Sequence, residues 1–438
     1  MFKGFKRNYK DLRRLQFIIS TLVKYGFSDV MTNLRIDLFF RAGKYIIPGV
    51  EKKDILKKTF SERLRLAFEE LGPTFIKFGQ MLSVRPDIIP KKYSDEFSKL
   101  QDEVPPIPTD KVKEIINLEL KKPVSELFKS FSEKPVAAAS IAQVHSAVTF
   151  EDEKVAIKVQ RPDIENVIET DLDILLKLAA LAEKHIPSVK VYQPTEIVKE
   201  FARNIQYELD FFREGRNIDL FYNHFKEDET VYIPKVYWDL TSEKVLVMEY
   251  ISGIKASDVK KIDSADLNRK IIAVNGANWI LKQIFEYGFF HADPHPGNIF
   301  ILEGNIIGPI DFGMVGYIDD EMKEELGDAL LAFTKRDVGK LIKILFNLQI
   351  LDDLSNVASL QHDLKDIVNY YYNIKLSQLN IGKVLMEVVE IIQKHHLTVP
   401  ADFVLMSKAL AAIEGLGKQL DPDFEIISIA KPYINKII

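Results

Sequence analysis

Leu12, Leu15, Ile19 and Leu22 recur at helical steps, with Lys10, Arg13, Arg14 and Lys24 among them. That spacing lays one apolar stripe along a helix and predicts a helical start to the chain. Residues 8–130 read as helical. Asp54 to Glu70 is charged and periodic and ends near Gly72-Pro73. Proline suits a first helical position, because the N–H it lacks would be unsatisfied there anyway. Pro73 therefore opens the next helix, which carries Phe75 to Leu82. Val104-Pro-Pro-Ile-Pro108 is a loop, after which Thr109 is placed to cap a helix running to about Lys121.

The pattern changes at about Glu133. Gln143 to Phe150 and Lys154 to Gln160 alternate and are rich in β-formers, with Glu151-Asp152-Glu153 as a hairpin turn between them. A helical stretch follows over Ile164 to His185, and a second over Pro194 to Phe225 with an acidic centre. Val231 to Trp238 and Lys244 to Ile251 read as strands. From Ser264 the chain is mostly helical, apart from short strands near Asn298–Leu302 and Asn305–Ile310. The order is helices, then a small antiparallel sheet with helices, then a helical half. No internal repeat or low-complexity tract interrupts it.

The chain has 438 residues, which implies two to three domains. Its composition, 47% hydrophobic and 28% charged, is that of a globular protein. Cysteine is absent, which excludes disulfides, zinc–thiolate sites, iron–sulfur clusters and a cysteine nucleophile. With 59 Lys+Arg against 64 Asp+Glu, the net charge of −5 gives no basic excess for nucleic acid. The basic N-terminus has no small-residue cleavage site, so no signal peptide is expected. No apolar run reaches the ~18 residues of a spanning helix. The nearest approach, Phe403 to Leu416, is interrupted by Lys408 and Glu414.

The strongest chemical signal is His291-Ala-Asp293-Pro-His-Pro-Gly-Asn298, followed by Ile310-Asp311-Phe312-Gly313. Asp293 and Asn298 stand five apart, and Asp311 follows thirteen residues later. Phosphoryl transfer uses such a trio. One carboxylate orients or deprotonates the acceptor, and an Asn and an Asp hold Mg²⁺, which prefers hard oxygen ligands. Asp293 fits the first role, and Asn298 and Asp311 fit the metal roles. The order and spacing match a kinase catalytic loop and metal loop, with HAD in place of HRD. Upstream, Val155-Ala-Ile-Lys158 matches the strand whose lysine pairs the α- and β-phosphates. Val245 to Ile251 is a strand running into Ser252-Gly253. In a kinase-like fold it is the hinge, where backbone groups of Glu249 and Ile251 meet the adenine edge.

Two features depart from a protein kinase. Where a glycine-rich loop is expected, the chain reads Ala137-Ala138-Ala139-Ser140. Alanine cannot approach phosphate or adopt positive φ as freely as glycine, so the phosphates would be covered differently, with Ser140 as a side-chain ligand. After Gly313 only Met314 to Ile318 precede an acidic helix start at Asp319, so no long activation segment exists to dock a peptide.

These residues resemble the UbiB/ADCK family of atypical kinases. The decisive addition is Lys77-Phe-Gly79-Gln80, that family's KxGQ motif, whose Lys77 and Gln80 share one helix face. The alanine loop Ala137–Ser140, the Gln143-Val-His145 triplet, Lys158-Val-Gln-Arg-Pro162, Glu208-Leu-Asp210 and Asp293–Asn298 are family motifs too. The resemblance covers about residues 50–438.

It implies an α+β, protein kinase-like two-lobe fold, made of a small antiparallel sheet lobe and a helical lobe. The expected division is a helical N-terminal extension over 1–130, an N-lobe over 131–251 and a C-lobe over 252–438. It also implies that the KxGQ helix packs over the nucleotide site and takes the place of a protein substrate, with Lys77 pointing toward Glu208 and Asp210. Lys158 would pair with Glu208 or Glu214, and Glu214 shares a face with Asp210 four residues before it.

The implied ligands are ATP or ADP with Mg²⁺, or Mn²⁺ as an alternative ion. The implied role is ATPase or phosphotransfer in isoprenoid-quinone (ubiquinone-type) biosynthesis or lipid metabolism. The expected location is cytoplasmic, with peripheral contact at the inner face of the membrane. The family often carries a hydrophobic C-terminal anchor, which is not present up to Ile438. The membrane contact is therefore expected of the basic N-terminal helix, with Lys3, Lys6, Arg7, Lys10, Arg13 and Arg14 against Asp11. A small-molecule phosphotransferase of the aminoglycoside or choline kinase type is the alternative, and a non-catalytic nucleotide-binding scaffold is a third reading. His185 and His395-His396 lack metal-ligand spacing and are expected to be ordinary helix-end or surface residues.

Overall fold

Helix α1 (Phe2–Lys24) is held by Arg14. In the computed structural model, Arg14 Nε lies 2.6 Å from Asp171 Oδ1, and its Nη2 donates to Asp171 Oδ2 at 2.8 Å and to the Leu71 carbonyl at 2.7 Å. Asp171 is fully buried, so this two-pronged pairing is what allows a carboxylate to sit there. The structure describes residues 2–29, 55, 57–83, 85, 88–100, 104–190, 192–351, 357–372, 380–395, 397 and 399–437. They divide into two compact units, Met1–Phe212 with Trp238–Val247, and Arg213–Tyr237 with Met248–Ile438.

The first unit begins with α1, α2 (Phe60–Leu71), α3 (Pro73–Ser83), α4 (Lys91–Phe97) and α5 (Thr109–Leu120). Thr59 and Glu62 form a reciprocal cap on α2: Thr59 N donates to Glu62 Oε2 at 2.7 Å and Glu62 N to Thr59 Oγ1 at 3.3 Å. Gly72, at φ +96°, turns the chain into α3, which starts at Pro73 as expected. Thr109 does not cap α5. Pro108 holds the cap position, and the Thr109 hydroxyl donates instead to the Glu133 carbonyl, 2.8 Å away.

A sheet follows, built from β1 (Ser130–Phe131), β2 (Ala137–Ala138), β3 (Ala142–Val148), β4 (Lys154–Gln160) and β5 (Val245–Glu249). Its order is β1-β3-β4-β5, with β2 also paired to β3. In β4, Val155, Ile157 and Val159 are buried, and the alternation turns Lys158 to the other face. Helices α6 (Ile164–His185) and α7 (Pro194–Leu209) pack against α1 and α3 around a core of Ile18, Phe75, Leu172 and Phe201. The expected single helix over Pro194–Phe225 is two. α7 stops at Asp210 (φ −94°, ψ 96°), and α8 (Phe211–Phe225) starts afresh. The backbone is drawn off there: the Gln160 amide donates to the Leu209 carbonyl, and Phe211 N donates to Glu243 O at 3.1 Å.

The second unit carries two small antiparallel sheets. One has the order β6-β8-β9, from β6 (Ile254–Lys255), β8 (Ile299–Leu302) and β9 (Ile306–Pro309). The other pairs β7 (Phe289–His291) with β10 (Val315–Tyr317). β6, β7 and β10 were too short to show a period in the sequence. Val231–Trp238 is not a strand. Only Val231 and Val236 make isolated bridges, to Ile307 and Met248, and Pro234 between them has no N–H to give. The helices are α9 (Val259–Ser264), α10 (Arg269–Lys282) with a π turn over Gln283–Tyr287, α11 (Asp320–Thr334), α12 (Val338–Asn347), α13 (Ala358–Tyr372), α14 (Ile381–Lys394), α15 (Ala401–Leu420) and α16 (Ile426–Ile437). α15 packs on α10 and α14. Among the described residues no helix is long and apolar enough to cross a membrane. The side chains of Lys3, Lys6, Arg7, Lys10 and Asp11, and all of His396, lie outside the described residues. His185 ends α6, and His395 follows α14 with Nε2 2.8 Å from Asp363.

Arg14→Ala should destabilise the first unit by about 3–5 kcal/mol, because it strands Asp171 in an apolar interior. Urea denaturation of Arg14→Ala and of the double variant Arg14→Ala/Asp171→Leu checks this, with the second change expected to recover most of the loss.

Candidate functional site

The arrangement in the second unit is organised by one buried imidazole. His291 ends β7, and its backbone N–H donates to the Gln283 side chain at 2.8 Å. Gln283 opens the π turn and donates in turn to the Trp279 carbonyl at 2.8 Å. The His291 ring reaches two loops at once. Nδ1 accepts the Asp293 N–H at 3.2 Å, and Nε2 donates to the Asp311 carbonyl. One nitrogen accepts and the other donates, so the ring is the neutral tautomer protonated on Nε2. Complete burial pushes its pKa down, in agreement with that assignment.

Hairpin β8–β9 sets the other two positions. Ile299 lies opposite Pro309, and one step further Ile310 N donates to Asn298 O at 3.0 Å. Asn298 and Asp311 therefore lie at the same open end of the hairpin. Asp311 Oδ1 also accepts the Gly313 N–H at 3.2 Å. Phe312 is buried against Phe221, with centroids 5.3 Å apart, and its carbonyl accepts from Asn217 at 2.9 Å. Strand β10 and the Asp319-capped α11 follow at once, so the chain between Gly313 and α11 is a short β-strand. At the edge of this unit, Glu249 N donates to the Lys235 carbonyl at 2.8 Å, and the Tyr232 hydroxyl donates to the Glu249 carboxylate at 2.5 Å. Ile251 is buried. Glu214 is buried on α8.

In the first unit, α3 carries Lys77, whose Nζ lies 3.1 Å from Glu208 Oε2. Gln80 donates to the Leu100 carbonyl at 3.2 Å. Between them Gly79 sits so close to Leu100 and Phe68 that a methyl group would collide with both. Lys77 and Gln80 are thus fastened by the packing of α3 against the segment after α4. Asp210 is the exposed break between α7 and α8. The Lys158 ammonium stands 5.3 Å from the centre of the Phe211 ring. The alanine segment is a hairpin: Ala137 and Ala138 form β2, and Ala139 N donates to Ala142 O at 2.8 Å. None of Ala137, Ala138, Ala139 and Ser140 has positive φ, so this turn suits alanine. Ser140 is buried.

Three further residues support this hairpin, and their family motifs had carried no role. Arg161 donates to Ala139 O at 2.7 Å and to Pro105 O at 3.0 Å, tying the hairpin to the proline loop. Gln143 exchanges hydrogen bonds with the backbone of Ile107 and donates to His145 Nε2 at 2.8 Å, and His145 Nδ1 donates to Ser132 O at 2.8 Å. His291 was also passed over, legible only as part of a motif.

Among the described residues no three His, Cys, Asp or Glu side chains converge as a metal cage. Asn298 and Asp311 offer instead a carboxylate and an amide oxygen, a donor set that suits an ion completed by phosphate and water oxygens.

A family model described as the ABC1 atypical kinase-like domain matches residues 99–345, and one described as the UbiB helical domain matches residues 364–425. A protein named "Probable protein kinase UbiB" from Marinobacter nauticus is 38% identical over 382 residues, 86% of this chain and 70% of that protein. A protein of the same name from Pseudomonas fluorescens is 35% identical over 431 residues, 97% of this chain and 80% of that protein. Among solved structures, Rv3197 of Mycobacterium tuberculosis, in its complex with erythromycin, has a TM-score of 0.55 at 22% identity, covering 84% of this chain and 97% of that one. That likeness establishes a shared fold.

The burial of His145 has a consequence for pH. Burial holds its pKa below the ordinary histidine value, so below about 6.5 the unfolded chain binds a proton that the folded one resists. Stability should be flat above about pH 7 and fall on acidification, by at most about 1.4 kcal/mol per pH unit from this residue. Urea midpoints between pH 5 and 8 should show a shallower acid limb in His145→Gln than in the wild-type protein.

Proposed function

The chain belongs to the UbiB family of ABC1 atypical kinase-like proteins, and on that premise we propose that it binds Mg²⁺–ATP and transfers or hydrolyses the terminal phosphoryl group. The acceptor is read as an isoprenoid-quinone precursor or another lipid at a membrane surface. The observation that carries the reading is the His291 clamp, which holds the backbone of Asp293 and of Asp311 beside the Asn298 end of one hairpin. Asn298 and Asp311 would hold the ion, which when bound supplies positive charge to the phosphate oxygens. Asp293 orients the acceptor hydroxyl or water and takes its proton as the new oxygen–phosphorus bond forms. Lys158 pairs the α- and β-phosphates. Since the Glu249 N–H is already given to Lys235, its carbonyl and the Ile251 N–H are the groups read as meeting adenine.

The named relatives are called protein kinases. A non-protein acceptor is favoured here by the short stretch from Met314 to Ile318, which leaves no peptide-docking segment before α11. Lys77, paired with Glu208, is read as the element of α3 that tunes nucleotide preference. The basic N-terminal helix remains the candidate for membrane contact, although Arg14 is committed to Asp171.

Asp311→Asn should weaken Mg²⁺–ATP binding about ten- to hundredfold, whereas Asp293→Asn should keep binding and lose about 10²–10⁴ in turnover. Calorimetry and phosphate release, measured separately on the two variants, check this. Wild-type turnover in Asp293→Asn would remove it from the catalytic role. Lys77→His and Ala138→Gly should each change the ATP-to-ADP affinity ratio or self-phosphorylation without lowering the melting temperature. Values equal to wild type in both variants would leave α3 a purely structural helix.

A further inference from the structure

Between Asp293 and Asn298 the chain reads Pro-His-Pro-Gly, with neither lysine nor arginine. A phosphoryl group in flight carries its charge on three equatorial oxygens, and catalysis depends on fixed cations facing them. The same unit supplies such a cation from elsewhere in the sequence. Lys408 of α15 places Nζ 3.6 Å from Asp293 Oδ1. We propose that Lys408 is the side-chain cation for the transferring phosphoryl group, standing beside Asp293 and turning to the γ-phosphate oxygens when nucleotide binds. This rests on the kinase reading given above and adds to it a residue that no motif of the loop contains.

The placement of Lys408 is built rather than incidental. Asp402, six residues earlier on α15, accepts the Tyr317 N–H at 3.1 Å, which fastens the start of α15 to β10. In β10, Val315 lies opposite His291, the residue that holds Asp293. One strand pair therefore sets both Asp293 and the helix carrying Lys408. Around Lys408 the helix is buried through Val404, Met406, Ser407 and Leu410. That packing fixes its rotation and leaves the lysine as the charged group turned out of an apolar surface.

Stability does not explain the pair. Side chains that are 35% and 42% exposed at 3.6 Å gain little from pairing in water. The same looseness lets Nζ change partner at small cost. In the step itself, the acceptor oxygen bonds to the γ-phosphorus while the bond to the β,γ-bridging oxygen breaks. The bridging oxygen leaves with that electron pair as part of ADP. The acceptor proton goes to Asp293, which Lys408 has vacated, and Lys408 meets the charge on the equatorial oxygens.

The test compares wild type, Lys408→Met and Lys408→Arg in binding of ADP and of an ATP analogue with a non-hydrolysable β,γ-imido bridge, both with Mg²⁺, and in phosphate release. Lys408→Met should lose about tenfold in affinity for the analogue and keep its ADP affinity. That is the size of one charge-assisted contact. Turnover should fall with it, and Lys408→Arg should recover most of both. An unchanged ratio of analogue to ADP affinity in Lys408→Met, a loss that arginine does not rescue, or a rise in turnover would each overturn the inference. Wild-type protein that binds neither nucleotide would overturn the kinase reading instead, which keeps the two failures apart. If Lys408→Met is poorly folded by circular dichroism, Lys408→Gln is measured in its place.

Discussion

The candidate site hangs on one neutral histidine. The His291 ring is buried, accepts from the Asp293 backbone and donates to the Asp311 backbone. The loops that carry the proposed proton acceptor and the proposed metal ligand thereby share one reference. The clamp itself is made through the main chain of both loops. A charged imidazole could not accept from Asp293, so the apolar surroundings that keep His291 neutral are part of the same device. The surroundings are themselves determined: Gln283 in the π turn holds the His291 backbone, and Phe221 and Phe312 pack beside it. Gln283 opens a π turn, a rare helical form found frequently at functional sites.

In the first unit the same principle works through different residues. Arg161, Gln143 and His145 spend their polar atoms on the carbonyls and amides of the proline loop, the alanine hairpin and the Ser132 segment. Each loop would otherwise leave backbone groups unpaired at the face of the sheet. The hairpin can then be made of alanine rather than glycine, because it is held from outside and needs no positive φ. Gly79 serves packing in the same economical way. It removes the one methyl group that would separate α3 from Leu100, and so sets the positions of Lys77 and Gln80 on either side.

Among the described residues, the helical reading of 8–130, with its loop at Val104–Pro108, held for α1 through α5 and ended where β1 begins. β4 and α6 came out with the boundaries that their alternation and periodicity predicted. The errors lie where hydrogen bonds between distant segments decide. The break at Asp210 exists because Gln160 and Glu243 take backbone groups that a continuous helix would use internally. Thr109 caps nothing, because Glu133 offers its hydroxyl a carbonyl first. Val231–Trp238 has the composition of a strand, but Pro234 interrupts it and only Val231 and Val236 are bridged.

The proposed phosphoryl-transfer residues were legible in the sequence because they are local. Asp293, Asn298 and Asp311 fall within one hairpin and its entry, where spacing along the chain is nearly spacing in space. The order of helices, a small antiparallel sheet and a helical half followed from periods of two and of three to four, which depend only on neighbours. What periodicity and spacing could not carry is whatever joins residues far apart, such as Arg14 with Asp171 and Lys408 with Asp293, while Lys77 with Glu208 was implied only by the family resemblance. A charge in an apolar run looks the same whether it is solvated or aimed at a partner more than a hundred residues away. Only the packing of α15 against α10 and its fastening to β10 give that lysine a direction.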